Sequence, residues 1–433
     1  MSFLPWVAGF VVLLVGVLVS VALHELGHMV PAKRFGVRVS QYMVGFGPTL
    51  WSRVRGETEY GVKAIPLGGY VRLVGMMPPA PEGRGRGSGF FSQMIADARD
   101  QSVEEIHPGE EHRAFYNLPA RQKIIVMLGG PVMNLVIALV VFGILIVGFG
   151  LPTGQPTTQV GAVSECVPAA VVSAAQGEQE CTDTPVPAAE AGLEPGDVIT
   201  SYDGVAVTGW EQLVGLIEQS PGRTVPVVVD RDGAAVELEI TPIATEKQVS
   251  DDDAGELVTR ESGFIGMSPM AEIRTEWYEA FPAVGQQTWD TMVMVATLPP
   301  RIADTARQAF TAEERSPDSV TSVVGVGWVL GDIIALDAPW EDKFAAILSI
   351  LGGLNIALFV FNLIPLLPLD GGHVVNALYE AGKRAVHKLR GLPRPGPADV
   401  ARLTPATYVV FLALIAVGGL LFVADLVDPV RIT

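Results

Sequence analysis

The sequence predicts a polytopic α-helical membrane protein with four transmembrane helices, a β-hairpin region beside the membrane and a separate α+β domain outside it. Three observations carry this reading. Only 18% of the 433 residues are charged and the mean hydropathy is +0.37, whereas about a quarter of the residues in a soluble domain are charged. Four apolar stretches, residues 6–23, 124–164 (apolar to about 150), 344–369 and 403–424, each reach the roughly 20 residues of helix that cross a hydrocarbon core. Basic residues gather between them: thirteen Lys/Arg in 31–123 and six in 370–402, while 151–343 holds nine against thirty-two Asp/Glu. The positive-inside rule puts the two basic segments in the cytoplasm, and both termini and the acidic segment outside.

The first stretch is read as a retained helix spanning 1–30. Ser2-Phe3-Leu4-Pro5 ahead of it lacks the basic residues of a signal peptide. Residues 31–118 form a cytoplasmic region of short strands at 37–44, 59–65 and 70–73, punctuated by Gly and Pro, then a Pro/Gly-rich loop and a polar helix near 93–105. The second span occupies 119–150. In the outside segment, 188–240 alternates strands with one amphipathic helix near 210–219, and 246–262 reads as a charged linker. Residues 263–343 have no assignable fold. The third span is 344–373, followed by a cytoplasmic loop at 374–402 and the fourth span at 403–425. Cys166 and Cys181 are the only cysteines. Both fall in the segment placed on the oxidising side, which favours a disulfide between them.

The chemistry begins with His24-Glu25-Leu26-Gly27-His28. Residues four apart share a helix face, so two imidazoles can bind one Zn²⁺ while Glu25 reaches the metal's water. Ionisable groups at a membrane helix end are costly unless they serve a function. A catalytic zinc takes three protein ligands and leaves one position open. Asp370 is the candidate third ligand. It follows Asn362-Leu363-Ile364-Pro365-Leu366-Leu367-Pro368-Leu369, where two prolines break the helix, and irregular backbone at membrane depth needs a protein interior or a water-filled cavity. Asp370 could also cap a helix starting at Gly371, and His373 is the rival ligand. In this topology the first and third spans both run inward, which brings the two motifs to one depth.

With these motifs the chain resembles the bacterial site-2 proteases, intramembrane zinc metalloproteases that cut transmembrane anti-sigma factors, over nearly its whole length. The matching residues are His24–His28, Leu369-Asp370-Gly371, the run Asn362, Pro365 and Pro368, Gly130-Pro131-Val132-Met133-Asn134, and the hairpin strands. The resemblance implies Zn²⁺ as cofactor, Glu25 as catalytic base, and Asn362 and Asn134 as substrate-positioning or helix-tying residues. Residues 188–199, followed by Asp203-Gly204, are similar to a PDZ run and imply one PDZ-like domain at about 158–245. The implied partners are transmembrane substrates, the lipid bilayer of a bacterial plasma membrane and a peptide ligand of the PDZ-like domain, with no nucleic acid. Two rival readings are a non-proteolytic scaffold that binds peptides and a transporter. The intact His24, Glu25, His28 and Asp370 argue against the first, and the outside domain argues against the second.

Overall fold

An uncharged run opening on Pro5, a residue suited to a first helical turn, forms α1 (Leu4–Arg34), which stays helical through both histidines. β1 (Val39–Arg55) and β2 (Thr58–Leu73) then form a two-stranded sheet. Shifts in register bend it, so that Tyr42 faces both Tyr60 and Val71, and Val44 faces both Val62 and Gly69. Residues 69–73 pair only with 39–44 among the described residues; no strand covers their other edge, and the Val71 N–H bonds the Glu25 carboxylate. α2 (Phe90–Glu104) and α3 (Ala120–Phe149) follow. Met29 and Ala32 of α1 share a core with Val39, Leu73, Phe115 and Val126, and this core fixes the sheet against the end of the first span. The computed structural model describes residues 3–80, 89–168, 181–182, 184–250, 257–310 and 320–427. It comprises two units, one of Met1–Phe149 with Glu276–Thr433 and one of Gly150–Thr275.

The second unit contains β3 (Leu151–Val163), β4 (Val167–Pro168), β5 (Cys181–Thr182), α4 (Pro187–Glu190), β6 (Val198–Tyr202), β7 (Val205–Ala206), α5 (Trp210–Glu218), β8 (Val225–Arg231), β9 (Ala234–Ile240), β10 (Ile243–Ser250), β11 (Leu257–Phe264) and β12 (Met267–Arg274). Its main sheet has the order β12-β3-β6-β8-β9, with β7 on β6. Val225, Val227 and Val229 are buried at every second position of β8, the period of a strand with one face inside. Leu213 and Ile217 of α5 close over them. Two-residue turns at Asp203-Gly204 and Asp232-Gly233, all four with positive φ, join β6 to β7 and β8 to β9 as hairpins of this kind require. Asp197 is buried, and Arg231 donates to both its oxygens at 2.7 Å. The guanidinium holds this carboxyl below the usual carboxylate range.

This unit is wider than the expected 158–245, because β12 returns to pair with β3 along its length. The stretch read as a linker is a hairpin in its described part: β10 and β11 pair from Ile243↔Phe264 to Ser250↔Leu257. Its charged composition hid it. At its base Thr245 and Ser262 are buried, and Thr245 Oγ1 donates to Ser262 O at 2.9 Å. Residues 251–256 lie outside the described residues, as do residues 169–180.

Within the first unit the chain resumes as α6 (Ala280–Ala296), α7 (Leu298–Phe310), α8 (Val323–Ala335), α9 (Trp340–Asn362), α10 (Asp370–Leu389) and α11 (Thr404–Val427). Among the described residues, four helices are long and apolar enough to cross a membrane: α1, α3, α9 and the helix ending at Val427. Two expectations need correction. The third span ends at Asn362, well short of the expected 373, because the prolines end α9 early. The loop expected at 374–402 is helical to Leu389, because Asp370 opens an amphipathic helix rather than closing a span. Several polar groups inside the bundle are paired, as a low-dielectric interior favours. Asn355 Nδ2 donates to Ser20 Oγ (3.0 Å), Trp6 Nε1 donates to Asp332 Oδ1 (3.0 Å), and Asp425 accepts the N–H groups of Ser322 and Gly325 at the start of α8. Lys123 of α3 donates to buried Glu380 of α10 at 2.8 Å, and Glu380 also accepts from Ala398 N–H. Arg384 of α10 also pairs with Glu380, so the buried carboxylate is compensated from both helices and joins α10 to α3.

No cysteine is free among the described residues. β4 and β5 pair so that Pro168 faces Cys181, although the Cys181 side chain lies outside the described residues. A non-reduced digest is expected to yield a peptide joining Cys166 to Cys181; two free thiols in protein from the oxidising side would refute the bridge.

Candidate metal centre

His24 and His28 lie one turn apart on α1, and Asp370 is the first residue of α10. Their metal-binding atoms form a nearly equilateral triangle. His24 Nε2 and His28 Nε2 are 3.2 Å apart, and Asp370 Oδ2 is 3.4 Å from the first and 3.3 Å from the second. An ion about 2.0–2.1 Å from each atom subtends angles of about 107° across such sides, close to tetrahedral. The donor chemistry fits as well. His28 Nδ1 lies 2.8 Å from Val126 O, a carbonyl that can only accept, so Nδ1 carries the proton and the Nε2 lone pair points into the triangle. Asp370 Oδ2 is buried and has no hydrogen-bond partner. A buried carboxylate oxygen aimed at two imidazoles without a donor is what a cation-binding site leaves behind.

The triangle depends on how closely α3 approaches α1. A Cβ at Gly27 would lie 2.2 Å from Gly129 O, and one at Gly129 would lie 2.0 Å from Gly27 O. The helices therefore touch by their backbones, the arrangement small residues permit in membranes. One residue further on, a Cβ at Gly130 would lie 2.2 Å from His28 Nε2 and 2.7 Å from His24 Nε2. Asn134, one turn along α3, brings its amide nitrogen to 3.2 Å from His24 Nδ1.

Glu25 lines a cavity of about 540 Å³ together with His24, His28, Asp370, Asn362 and His373. The open edge of β2, from Gly69 to Leu73, forms another wall. All the residues singled out in the sequence as zinc ligands, rival ligand or base thus meet in one place. Asn134 stands behind His24 and Asn362 at the cavity wall. Sequence reasoning missed a further wall: Ala98, Gln101 and Ser102 of α2. α2 is held there by Arg99, which donates to both oxygens of Asp399 at 2.7 and 2.9 Å, and by Ser102 Oγ, which accepts from Met77 N–H at 3.0 Å. No local pattern in a polar helix reveals what it will cover. The part played by Gly130 was also unseen, although its run with Asn134 was noted.

A triad of two imidazoles and a carboxylate, set beside a glutamate within a bundle of apolar helices, defines a metalloprotease that works in the membrane. The chain belongs to peptidase family M50, whose match covers residues 12–391. It is 36% identical over 434 residues to the zinc metalloprotease Rip1 of Mycobacterium tuberculosis, covering 99% of each chain. It is 26% identical to the zinc metalloprotease RasP of Shouchella clausii over 84% of this chain and 88% of that one. It is also 24% identical to the regulator of sigma-E protease RseP of Salmonella typhimurium, over 91% and 93% respectively. The protein is a zinc-dependent intramembrane endopeptidase, and the scaffold reading is not favoured.

Zinc content tests the geometry. Asp370→Ala is expected to purify without stoichiometric zinc and His373→Ala to retain it; the reverse would make His373 the ligand. Gly130→Ala is expected to lose zinc as well, since its methyl would occupy the space at His28 Nε2.

Proposed function

We propose that His24, His28 and Asp370 hold the zinc, that Glu25 is the catalytic base, and that the substrates are transmembrane segments, anti-sigma factors among them. The observation that carries this reading is the triangle of metal-binding atoms, which lines one cavity together with Glu25 and the outer edge of β2. Bound there, Zn²⁺ acidifies a water and polarises the scissile carbonyl. Glu25 takes the proton of the attacking water and returns it to the leaving amine. A helical carbonyl is already hydrogen-bonded and shielded, so the substrate unwinds before cleavage. The open edge at Gly69–Leu73 receives the unwound segment as an added strand. Asn362, at the end of α9 and on the cavity wall, binds the substrate backbone.

Asn134 is assigned to orienting His24. With the amide turned so that Oδ1 faces the ring, it accepts from His24 Nδ1–H and leaves the Nε2 lone pair for the metal. That orientation also gives a partner to Asn134 Oδ1, which is otherwise buried without one. The unit Gly150–Thr275 is assigned as a PDZ-like domain outside the cell, on the strength of its 188–199 run and its helix-capped sheet. It acts on substrates before they reach the membrane site, either by binding a peptide strand or by excluding bulky ectodomains.

Glu25→Gln keeps the size of the side chain and loses the base. Zinc should remain, and cleavage of a membrane-embedded substrate should fall by at least about a hundredfold; near-normal turnover would sink the mechanism. The topology is tested separately with single cysteines at Glu237 and Lys388, in protein lacking Cys166 and Cys181. An impermeant maleimide should reach position 237 in intact cells and position 388 only after lysis. The opposite pattern would invert the arrangement.

A further inference from the structure

A second cavity, of about 700 Å³, lies between the loop before α10, α10 itself and the start of α11. It is distinct from the catalytic cavity and lies on the other side of the loop that delivers Asp370: Pro368 and Asp370 line the catalytic cavity, whereas Pro365, Leu366 and Leu367 line this one. Its depth is set by two spans. The loop begins where α9 ends, and Leu403, Ala406 and Val410 belong to the opening turns of the last span. The cavity therefore sits at the boundary between hydrocarbon and water.

Its lining is divided to match. Leu366, Leu367, Val375 and Val410 form an apolar side, and Lys383, Arg402 and Tyr379 a polar one. The single carboxylate among the lining residues, Asp399, is already engaged. Arg99 binds both its oxygens, and Arg402 Nε donates to it at 3.0 Å. The polar side is thus net positive, and Lys383 is exposed on it.

The geometry points to a binding site for one anionic phospholipid, its phosphate on Lys383 and Arg402 and an acyl chain along Leu366, Val375 and Val410. A soluble anion would have no use for the apolar side, and a neutral lipid would leave the excess positive charge of Lys383 uncompensated. Basic pockets between membrane helices at this level suit anionic headgroups. The lipid would press on the loop behind the metal ligand, for Leu369 N–H donates to Leu366 O at 2.9 Å immediately before Asp370. It would also touch Asp399, the anchor of the helix that walls the catalytic cavity. A bound lipid is therefore placed to steady both.

The test is native mass spectrometry of the full-length protein in a neutral detergent, titrated with phosphatidylglycerol or with phosphatidylcholine of matched chains. The wild type is expected to retain one phosphatidylglycerol in preference to phosphatidylcholine. Lys383→Ala/Arg402→Ala should bind phosphatidylglycerol about tenfold more weakly or worse, with phosphatidylcholine binding unchanged. Millimolar inorganic phosphate should not displace the lipid. Equal binding of the two lipids by wild type, wild-type affinity in the double variant, or displacement by phosphate would each overturn the proposal. If the double variant fails to fold, as judged by lost zinc, Ala406→Phe decides. This residue is exposed on α11 and lines the cavity, so its ring should fill the apolar side and abolish the preference; a preference that survives overturns the site. No readout depends on proteolysis, so the result stands apart from the assignment of the catalytic residues.

Discussion

The backbones of α1 and α3 meet at Gly27 and Gly129, and the rest of the active site is arranged around that contact. It brings Val126 O onto His28 Nδ1 and Asn134 onto His24, so each imidazole is oriented from behind by the neighbouring helix. Side chains held in this way would lose little freedom on binding a metal, because their rotamers are already set. Lys123 of the same helix holds α10 through Glu380. One helix, α3, thus positions both halves of the centre while contributing none of the three atoms of the triangle.

The fold was legible in the sequence where a residue's cost announced its purpose. Two histidines and a glutamate at the end of an apolar run, and an aspartate after two prolines, are expensive in a bilayer, and they proved to converge. The spans were equally plain, since length and hydropathy alone define them. Three features escaped for physical reasons. The hairpin from Ile243 to Phe264 is rich in charged and polar residues, so its sequence lacks the alternation that marks a half-buried sheet. α8 is apolar but only thirteen residues long, too short to register as a span; the bonds from Asp425 to its first turn are long-range. α10 was taken for a loop because its charges were counted and its period was not.

Within the site, the residues that cluster were readable and their supports were not. The spacing of His24 and His28 is local information. The closeness of Gly130 to both imidazoles, and the way Arg99 reaches Asp399 three hundred positions away, arise only once the chain is folded. Sequence patterns record which costly polar groups come together more faithfully than what holds them in place.

The open edge at Gly69–Leu73 has a consequence for selectivity. A strand edge offers amides and carbonyls, which are alike in every polypeptide, so it discriminates poorly among side chains. What varies between potential substrates is the work needed to pull a stretch of helix into extended form. Inside a bilayer that work is large for an uninterrupted Leu- and Ala-rich helix, and smaller where Gly or Pro has already loosened the hydrogen-bond ladder. The enzyme would then read the mechanical weakness of a membrane helix, and a protein could escape cleavage simply by being a sturdier rod.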